Sequence, residues 1–474
     1  MKKQHIILLA LALASATGVE AQEASRSGYF LDGYSFRHQL NPAFANDHNY
    51  ISVPALGNTG LGLSSNVGVN TFLYKLPDGR LTTFMSPTVS GDEFLSKIHD
   101  NNSLSANVNL TILSAGFKAF GGFNTISLSA RTDIGANIPR GLLEFMKLGQ
   151  QGTSSTYSFS DLRLKASAMG EIALGHSHAV NDQIEVGAKA KILIGIGNVD
   201  ARIDRMDVTL SDDVWEIKAS GSMNAAAGKG LEIPTNKESG KEFDRPEAAD
   251  EVDWDGIEYN KFSTTGNGLA FDLGAVYRNV IPGLTVSASV LDLGFTVWTN
   301  NIKALTPETL WKFDGFSNIA LDSSKPGYDD NSLKHQTDAM WDDLKDAINF
   351  RRESTGGSRT NALAATLHLA AEYEMPFYNR LTGGFLFTHR FNGPFSWTEG
   401  RISANIKPAR WFDCSVNFAQ SSFGSSFGWM INFHPRGFNF FVGSDHQFFR
   451  ITPQILPVGN ANMNLNLGFN VTFG

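Results

Sequence analysis

The chain has 474 residues and a formal charge of −8, with 39 Lys plus Arg against 47 Asp plus Glu; charged residues make up 18 %, below the ~25 % usual in soluble domains. The acidic balance argues against a nucleic-acid binder, which needs a basic face, and the single cysteine, Cys414, excludes a disulfide framework or thiolate cluster. Phenylalanine, at 35, outnumbers tyrosine (10) and tryptophan (8) together and calls for a large apolar surface.

Residues 1–21 read as an export signal peptide: Lys2 and Lys3, an apolar run from Ile6 to Ala16, and the small-x-small site Val19-Glu20-Ala21 before Gln22. The run is shorter than the ~20 residues of a membrane helix, and no later stretch approaches 18 consecutive apolar residues. Residues 22–50 hold Tyr29, Phe30, Tyr34, Phe36 and the turn Asn41-Pro42-Ala43, too polar for lipid and too aromatic for a free tail. An N-terminal hatch folded inside a lumen is expected there, with a short periplasmic cap as the alternative.

Residues 51–474 are dominated by period two. At the C-terminus Met463, Leu465, Leu467, Phe469, Val471 and Phe473 alternate with Asn464, Asn466, Gly468, Asn470 and Thr472; the runs 123–135, 159–175 and 183–198 behave likewise. Each such strand has one apolar and one polar face. The runs reach 11–17 residues, longer than the ~5–6 of a typical strand and long enough for the ~9–11 of a transmembrane barrel strand. Strands are expected near 60–75, 104–119, 123–135, 159–175, 183–198, 267–278, 283–298, 360–374, 380–391, 399–407, 411–420, 426–433, 437–445 and 463–473, fourteen in all. Short turns (120–122, 176–182, 279–282, 375–379, 408–410, 434–436) alternate with longer loops, except at 421–425. This is the asymmetry of bacterial outer-membrane barrels, whose short turns are periplasmic. The fold class is therefore all-β, a transmembrane antiparallel β-barrel of about fourteen strands, with long extracellular loops that contain short helices. Phase changes near Ser114 and at Val290-Leu291 suggest bulges. The stretch 199–266 suggests a hairpin rising above the membrane, able to add two strands.

Among the loops, Pro139 to Leu148 signals an apolar helix whose Leu142, Leu143, Phe145, Met146 and Leu148 form a candidate hydrophobic groove; packing against neighbouring loops is the alternative. Ser332 to Phe350 reads as an amphipathic helix. The acidic stretch 237–261 lacks a fixed calcium-ligand pattern and reads as a solvated loop. No P-loop, dinucleotide fingerprint, HExxH or GxSxG motif occurs. The expectation is a protein that is not an enzyme, with no cofactor and no metal; an outer-membrane hydrolase is a further alternative.

Asn41-Pro42-Ala43, placed before the first strand, resembles the turn of FadL-type hydrophobic-compound transporters and PorV/PorP-type outer-membrane proteins. The wider set Gly60-Leu61-Gly62-Leu63-Ser64-Ser65-Asn66, Leu291-Asp292-Leu293-Gly294-Phe295 with Trp298, and Gly468-Phe469-Asn470-Val471-Thr472-Phe473-Gly474 is similar to a Bacteroidetes outer-membrane barrel family of unknown function. The FadL resemblance implies a fourteen-stranded barrel with an N-terminal hatch, passing small hydrophobic compounds by lateral or periplasmic release. The chain departs from barrels that end on an aromatic residue, since Gly474 follows Phe473.

By parity the candidate lumen residues are Arg131, Asp133, Arg163, Lys165, Glu171, Glu185, Lys189, Lys191, Asp272, His368, Glu372, Arg390 and Asp413. Expected partners are outer-membrane lipid and hydrophobic small molecules. The alternative function is a non-transporting scaffold or accessory of a secretion or surface-assembly system, docking a protein partner through its loops.

Overall fold

The computed structural model describes residues 25–76, 80–228, 231–243, 246–259, 261, 263–314, 335–340, 349–447 and 462–474. The expected signal peptide and most of the helix expected over 332–350 lie outside the described residues; His335–Met340 is helical.

Fourteen antiparallel strands close into a barrel: β1 in two pieces (Asn49–Ser52 and Thr59–Ser65), β2 (Asn101–Ala119), β3 (Gly122–Pro139), β4 (Leu162–Ala179), β5 (Ile184–Ser211), β6 (Gly266–Tyr277), β7 (Leu284–Phe313), β8 (Thr366–Glu374), β9 (Leu381–Arg390), β10 (Trp397–Ala409), β11 (Phe412–Ser421), β12 (Gly424–Phe433), β13 (Phe438–Gln447) and β14 (Met463–Phe473). Closure comes from β1, which pairs β14 on one side (Asn49↔Phe473, Thr59↔Leu467) and β2 on the other (Tyr50↔Gly116, Ser64↔Ser105). A closed sheet leaves no unpaired edge in the bilayer. The apolar parity faces outward, as the alternation requires: Ile126, Leu128, Ile172, Leu174, Ile192, Phe271, Ile402 and Phe418 are all exposed. At the short-turn end, Phe120, Ile281, Phe377 and Trp411 form an exposed apolar rim. The β2–β3 connection is a two-residue turn in which Phe120 and Gly121 both take positive φ (56° and 76°), the geometry that matches strand twist.

Both expected bulges occur. Register shifts between Thr111 and Leu113 on β2, and on β7 Leu291 and Asp292 together oppose Asp272 of β6. Three expectations are corrected. The first strand does not run through 60–75: it ends at Ser65, and the chain leaves the wall as a helical turn Val69–Phe72 and a hairpin of Leu73–Lys75 with Leu81–Thr83. The 360–374 strand is two, Arg351–Ala362 and Thr366–Glu374, because residues 363–365 break the pairing at the rim. His176 and His178 sit at the end of β4 rather than in a turn.

β5 and β7 run far beyond the membrane belt. The strand Trp215–Ala227 stands directly above β6 and fills the slot between them, with Ala226 opposite both Asn198 and Asn301. The hairpin expected in 199–266 is therefore an upward extension of the wall and adds no transmembrane strand. The helix α1 (Arg140–Leu148) braces this extension from the side.

Candidate functional site

The short-turn half of the lumen is filled by residues 25–48. Tyr29, Phe30, Leu31, Tyr34, Phe36, Leu40 and Phe44 are buried in one cluster with Tyr50 and the inward-facing Phe123, Val276, Ala370, Leu386, Met430 and Phe441 of the wall. The segment supplies most of the rings, Tyr29, Phe30, Tyr34, Phe36 and Phe44 against Tyr50, Phe123 and Phe441 of the wall, so it brings much of its core with it.

Polar sockets fix the hatch at both ends. At its start, Asp445 of β13 accepts hydrogen bonds from Ser25 Oγ (2.8 Å), Arg26 N (2.9 Å), Ser27 N (2.6 Å) and Ser27 Oγ (2.5 Å). Arg26 also pairs with Glu399 at 3.2 Å, donates to His446 Nε2 at 2.9 Å and lies 4.7 Å over the Trp397 ring. Because Nε2 accepts, Nδ1 of that imidazole carries the proton and donates to Ser426 Oγ at 2.8 Å. In the middle, Gly33 N donates to Asp413 Oδ2 at 3.0 Å. At the far end the Asn41-Pro42-Ala43 turn presses onto β5 and β6. A Cβ at Gly187 would lie 2.1 Å from Pro42 O, and one at Gly274 would lie 2.0 Å from Asn41 Oδ1, so the wall needs glycine at both contacts. Ser289 Oγ donates to Leu40 O at 2.7 Å, and Lys189 Nζ to His38 O at 3.1 Å. His38 shares a hydrogen bond with Tyr50 Oη at 2.8 Å. Burial, reinforced by Lys189, holds its imidazole well below the usual histidine range.

Above the hatch lies a layer of buried charge. Arg131 meets Asp292 at 2.8 Å and Glu171 at 3.5 Å; Lys191 meets Asp292 at 2.8 Å and Asp272 at 2.9 Å. Mutual pairing is what permits charges at this depth.

Higher still, an open cavity of about 80 Å3 is bordered by Arg131, Asp133, Lys165, Trp298, Asn361, Arg390, Phe395 and Trp397. A second chamber of about 60 Å3 shares Arg131, Asp133, Arg390 and Trp397 with it and reaches down to Arg26, Glu399 and His446. The hatch thus supplies the floor of the second chamber through Arg26.

The thirteen parity residues sort by depth. Arg131, Asp133, Lys165 and Arg390 border the cavity. Glu171, Lys189, Lys191 and Asp272 belong to the buried ion network. His368, with Nδ1 3.0 Å from Thr388 Oγ1 and its ring 6.0 Å from Tyr29, and Asp413 face the hatch, and Glu372 accepts from Thr382 Oγ1 at 2.7 Å near the short-turn end. Arg163 is paired with Asp161 at the long-loop rim and Glu185 with Arg278 at the short-turn end, both apart from the cavity. Parity reasoning missed Arg26, Asp292, Glu399, Arg401, Asp445 and His446. Glu399, Arg401 and Asp445 share the parity of their strands' polar faces, a signal that was present in the sequence; Asp292 is displaced by its bulge.

The α1 groove expectation is corrected by packing. Leu142 and Phe145 pack on Tyr157, Phe159, Val208 and Ile217, and Leu143 is buried with Phe84, Val89, Phe94 and Ile98, which leaves Met146 exposed and no open groove on the helix. The interruption of β1 does not open the wall either. Val53 N donates to Phe469 O (3.2 Å), Phe469 N to Leu56 O (2.7 Å), Ala55 N to Ile112 O (3.0 Å) and Thr111 N to Asn58 O (2.9 Å), bridging both neighbours. Among the described residues no group of three or more His, Cys, Asp or Glu is placed to hold a metal ion.

The sequence matches the family of unknown function DUF5723 over residues 42–445. The chain belongs to this family. No curated protein matches it. Among solved structures it is similar to the toluene transporter TbuX of Ralstonia pickettii (10 % identity, TM-score 0.42, covering 95 % of this chain and 99 % of that one). It is also similar to the toluene transporter TodX of Pseudomonas putida (9 %, 0.40, 96 % and 96 %) and to a FadL homologue of Pseudomonas aeruginosa (10 %, 0.38, 96 % and 99 %). The DUF5723 chain is a closed fourteen-stranded antiparallel β-barrel with an apolar outer face.

Proposed function

We propose that this barrel binds small compounds with substantial apolar surface in the outer lumen cavity and passes them across the outer membrane when the hatch moves. The observation that carries this reading is the cavity's floor. The chamber lined by Trp298, Trp397 and Phe395 adjoins a second one, sharing Arg131, Asp133, Arg390 and Trp397 with it, and that second chamber ends on Arg26 of the hatch, which fills the lumen below. A compound that passes from the first chamber into the second reaches the part that must move for passage. The intact hydrogen bonding around the β1 interruption favours release toward the periplasm over release through the wall at that point.

Conductance in planar bilayers tests the reading. The wild-type protein is expected to be closed, and deletion of residues 22–48 to give a conducting pore. A deletion variant that is folded and does not conduct would refute it. The scaffold alternative draws on the tall extracellular sheet, whose tip exposes Trp215 and Leu310; recovery of a stoichiometric protein partner, lost when the 199–228 hairpin is removed, would favour it.

A further inference from the structure

We propose that the ligand of the outer cavity is an organic anion, its acidic group held by Lys165 beside Arg390 and its apolar part lying among Trp298, Trp397 and Phe395. This inference rests on the cavity being the ligand site, as argued above, and adds the chemical class.

The cations bordering the cavity are not equivalent. Arg131 is neutralised by Asp292 at 2.8 Å and Glu171 at 3.5 Å, and Arg390 by Asp133 at 3.2 Å. Asp133 is further committed, accepting from Asn107 Nδ2 at 2.9 Å. Lys165 has no such counterpart. Its ammonium donates to the neutral Asn392 Oδ1 at 2.8 Å, and no described carboxylate lies within 4.0 Å of it. Asn392 stands two residues beyond Arg390, so this hydrogen bond draws the lysine across the mouth from β4 to the side of the arginine. The lumen thereby presents a half-buried ammonium with unused donors at the upper edge of the cavity and aromatic surface beside it.

A wholly apolar ligand displacing water here would leave that ammonium poorly solvated, a cost that charged groups incur steeply on burial. A carboxylate, phosphate or sulfate group reverses the balance by accepting charge-assisted hydrogen bonds from Lys165. Asp200 and Asp133, the carboxylates whose fields reach Lys165, are already paired, with Arg359 at 3.6 Å and Arg390 at 3.2 Å. The buried Asn361 Oδ1, which has no hydrogen-bond partner, adds an acceptor for a donor group elsewhere on the ligand.

Benzoate and benzamide, nearly equal in shape and different in charge, separate the two levels of the argument. Both are titrated calorimetrically into the purified full-length barrel in detergent at low salt. Benzoate is expected to bind at least tenfold more tightly than benzamide, the fold-change of one charge-assisted hydrogen bond. Lys165→Met should remove that preference, and Lys165→Arg should restore it. High salt should weaken benzoate alone. Benzoate binding no tighter than benzamide would overturn the anion assignment and leave the cavity reading intact. Equal losses for both probes in Lys165→Met would also overturn it, by showing a structural role for the lysine. Binding of neither probe would overturn the cavity as a ligand site and this inference with it.

Discussion

Asp445 is the strongest single tether between wall and hatch, and its removal gives the sharpest test of how the lumen is closed. Its carboxylate accepts four hydrogen bonds from Ser25, Arg26 and Ser27, and Arg26 Nε lies 3.8 Å from it. Both partners are buried. Replacing it by alanine removes the acceptors of two backbone N–H groups and takes one carboxylate from Arg26, whose other cited carboxylate, Glu399, is shared with Arg401 at 2.8 Å. Removing one member of a buried charged cluster costs roughly 3–5 kcal/mol. That loss falls on the docked state and not on a state in which the first hatch residues have left the lumen. The ratio of open to closed therefore rises by about two to four orders of magnitude, at about 1.4 kcal/mol per tenfold.

Single-channel recording reads this ratio directly, with circular dichroism and gel mobility without heating to show that the barrel is folded. Asp445→Ala should open in bursts where the wild type is silent. Asp445→Asn, which keeps one acceptor and loses the charge, should fall between them. A folded Asp445→Ala as silent as wild type, alongside a conducting 22–48 deletion, would show that the aromatic cluster and the Asn41 turn hold the hatch without this socket.

Three further outcomes are expected. Gly187→Leu should displace the Pro42 turn, since even a Cβ would lie 2.1 Å from Pro42 O; overpacking of about 1–3 kcal/mol should make the hatch cleavable by added protease in outer-membrane fragments, and a hatch as resistant as wild type would count against the docking described. His38 is neutral in its socket with its proton affinity depressed by burial and Lys189, whereas a released hatch regains the usual pKa of about 6.5. The stability it contributes is therefore complete above about pH 6.5 and is lost as pH falls below that, by at most about 1.4 kcal/mol per pH unit; wild-type opening should rise between pH 6.5 and 5, and the same rise in His38→Asn would exclude this ring as its source. On the outer face, Leu128→Arg near mid-wall should cost roughly 2–4 kcal/mol of folded barrel in bilayers, read as a lower urea midpoint; no change would mean that Leu128 does not face lipid.

The strands were legible because a bilayer imposes one rule on all of them. An outward residue must be apolar, whatever its neighbours, so Leu465, Leu467, Phe469 and Val471 alternate without regard to tertiary detail. The same rule fails above the membrane, where β5 and β7 continue into water and their apolar side chains, such as Val208 and Leu210, are buried by α1 and the strand Ser154–Ser158. There the periodicity persists while its meaning changes, and the 199–266 hairpin and the α1 groove were accordingly left ambiguous or misread. Bulges defeat parity in a second way. Leu291 and Asp292 together oppose Asp272, so Asp292, at positive φ (59°), turns inward where simple alternation assigns no charge.

The hatch contacts were invisible for a different reason, and that reason bears on how the lumen works. Ser25, Arg26 and Ser27 meet Asp445 across some 420 residues, and no local pattern encodes such a pairing. Most of these sockets are single groups presented by an otherwise regular wall: Asp445 on β13, Asp413 on β11, and glycines at 187 and 274 on β5 and β6. None of the contacts cited here is a strand-to-strand hydrogen bond, so hatch and wall can separate without unpicking the sheet, at the cost of a few polar bonds and the shared aromatic core. The buried network of Arg131, Asp292, Lys191, Asp272 and Glu171 is built differently. Its cited ion pairs link β3, β4, β5, β6 and β7 to each other, and Lys189, 3.8 Å from Asp272, joins it to the hatch through His38 O. The proposed gating needs a closure that detaches and a frame that does not; the wall-to-wall ion pairs supply the frame, and the Lys189–His38 contact is the one link of that layer to the hatch cited here that opening must break.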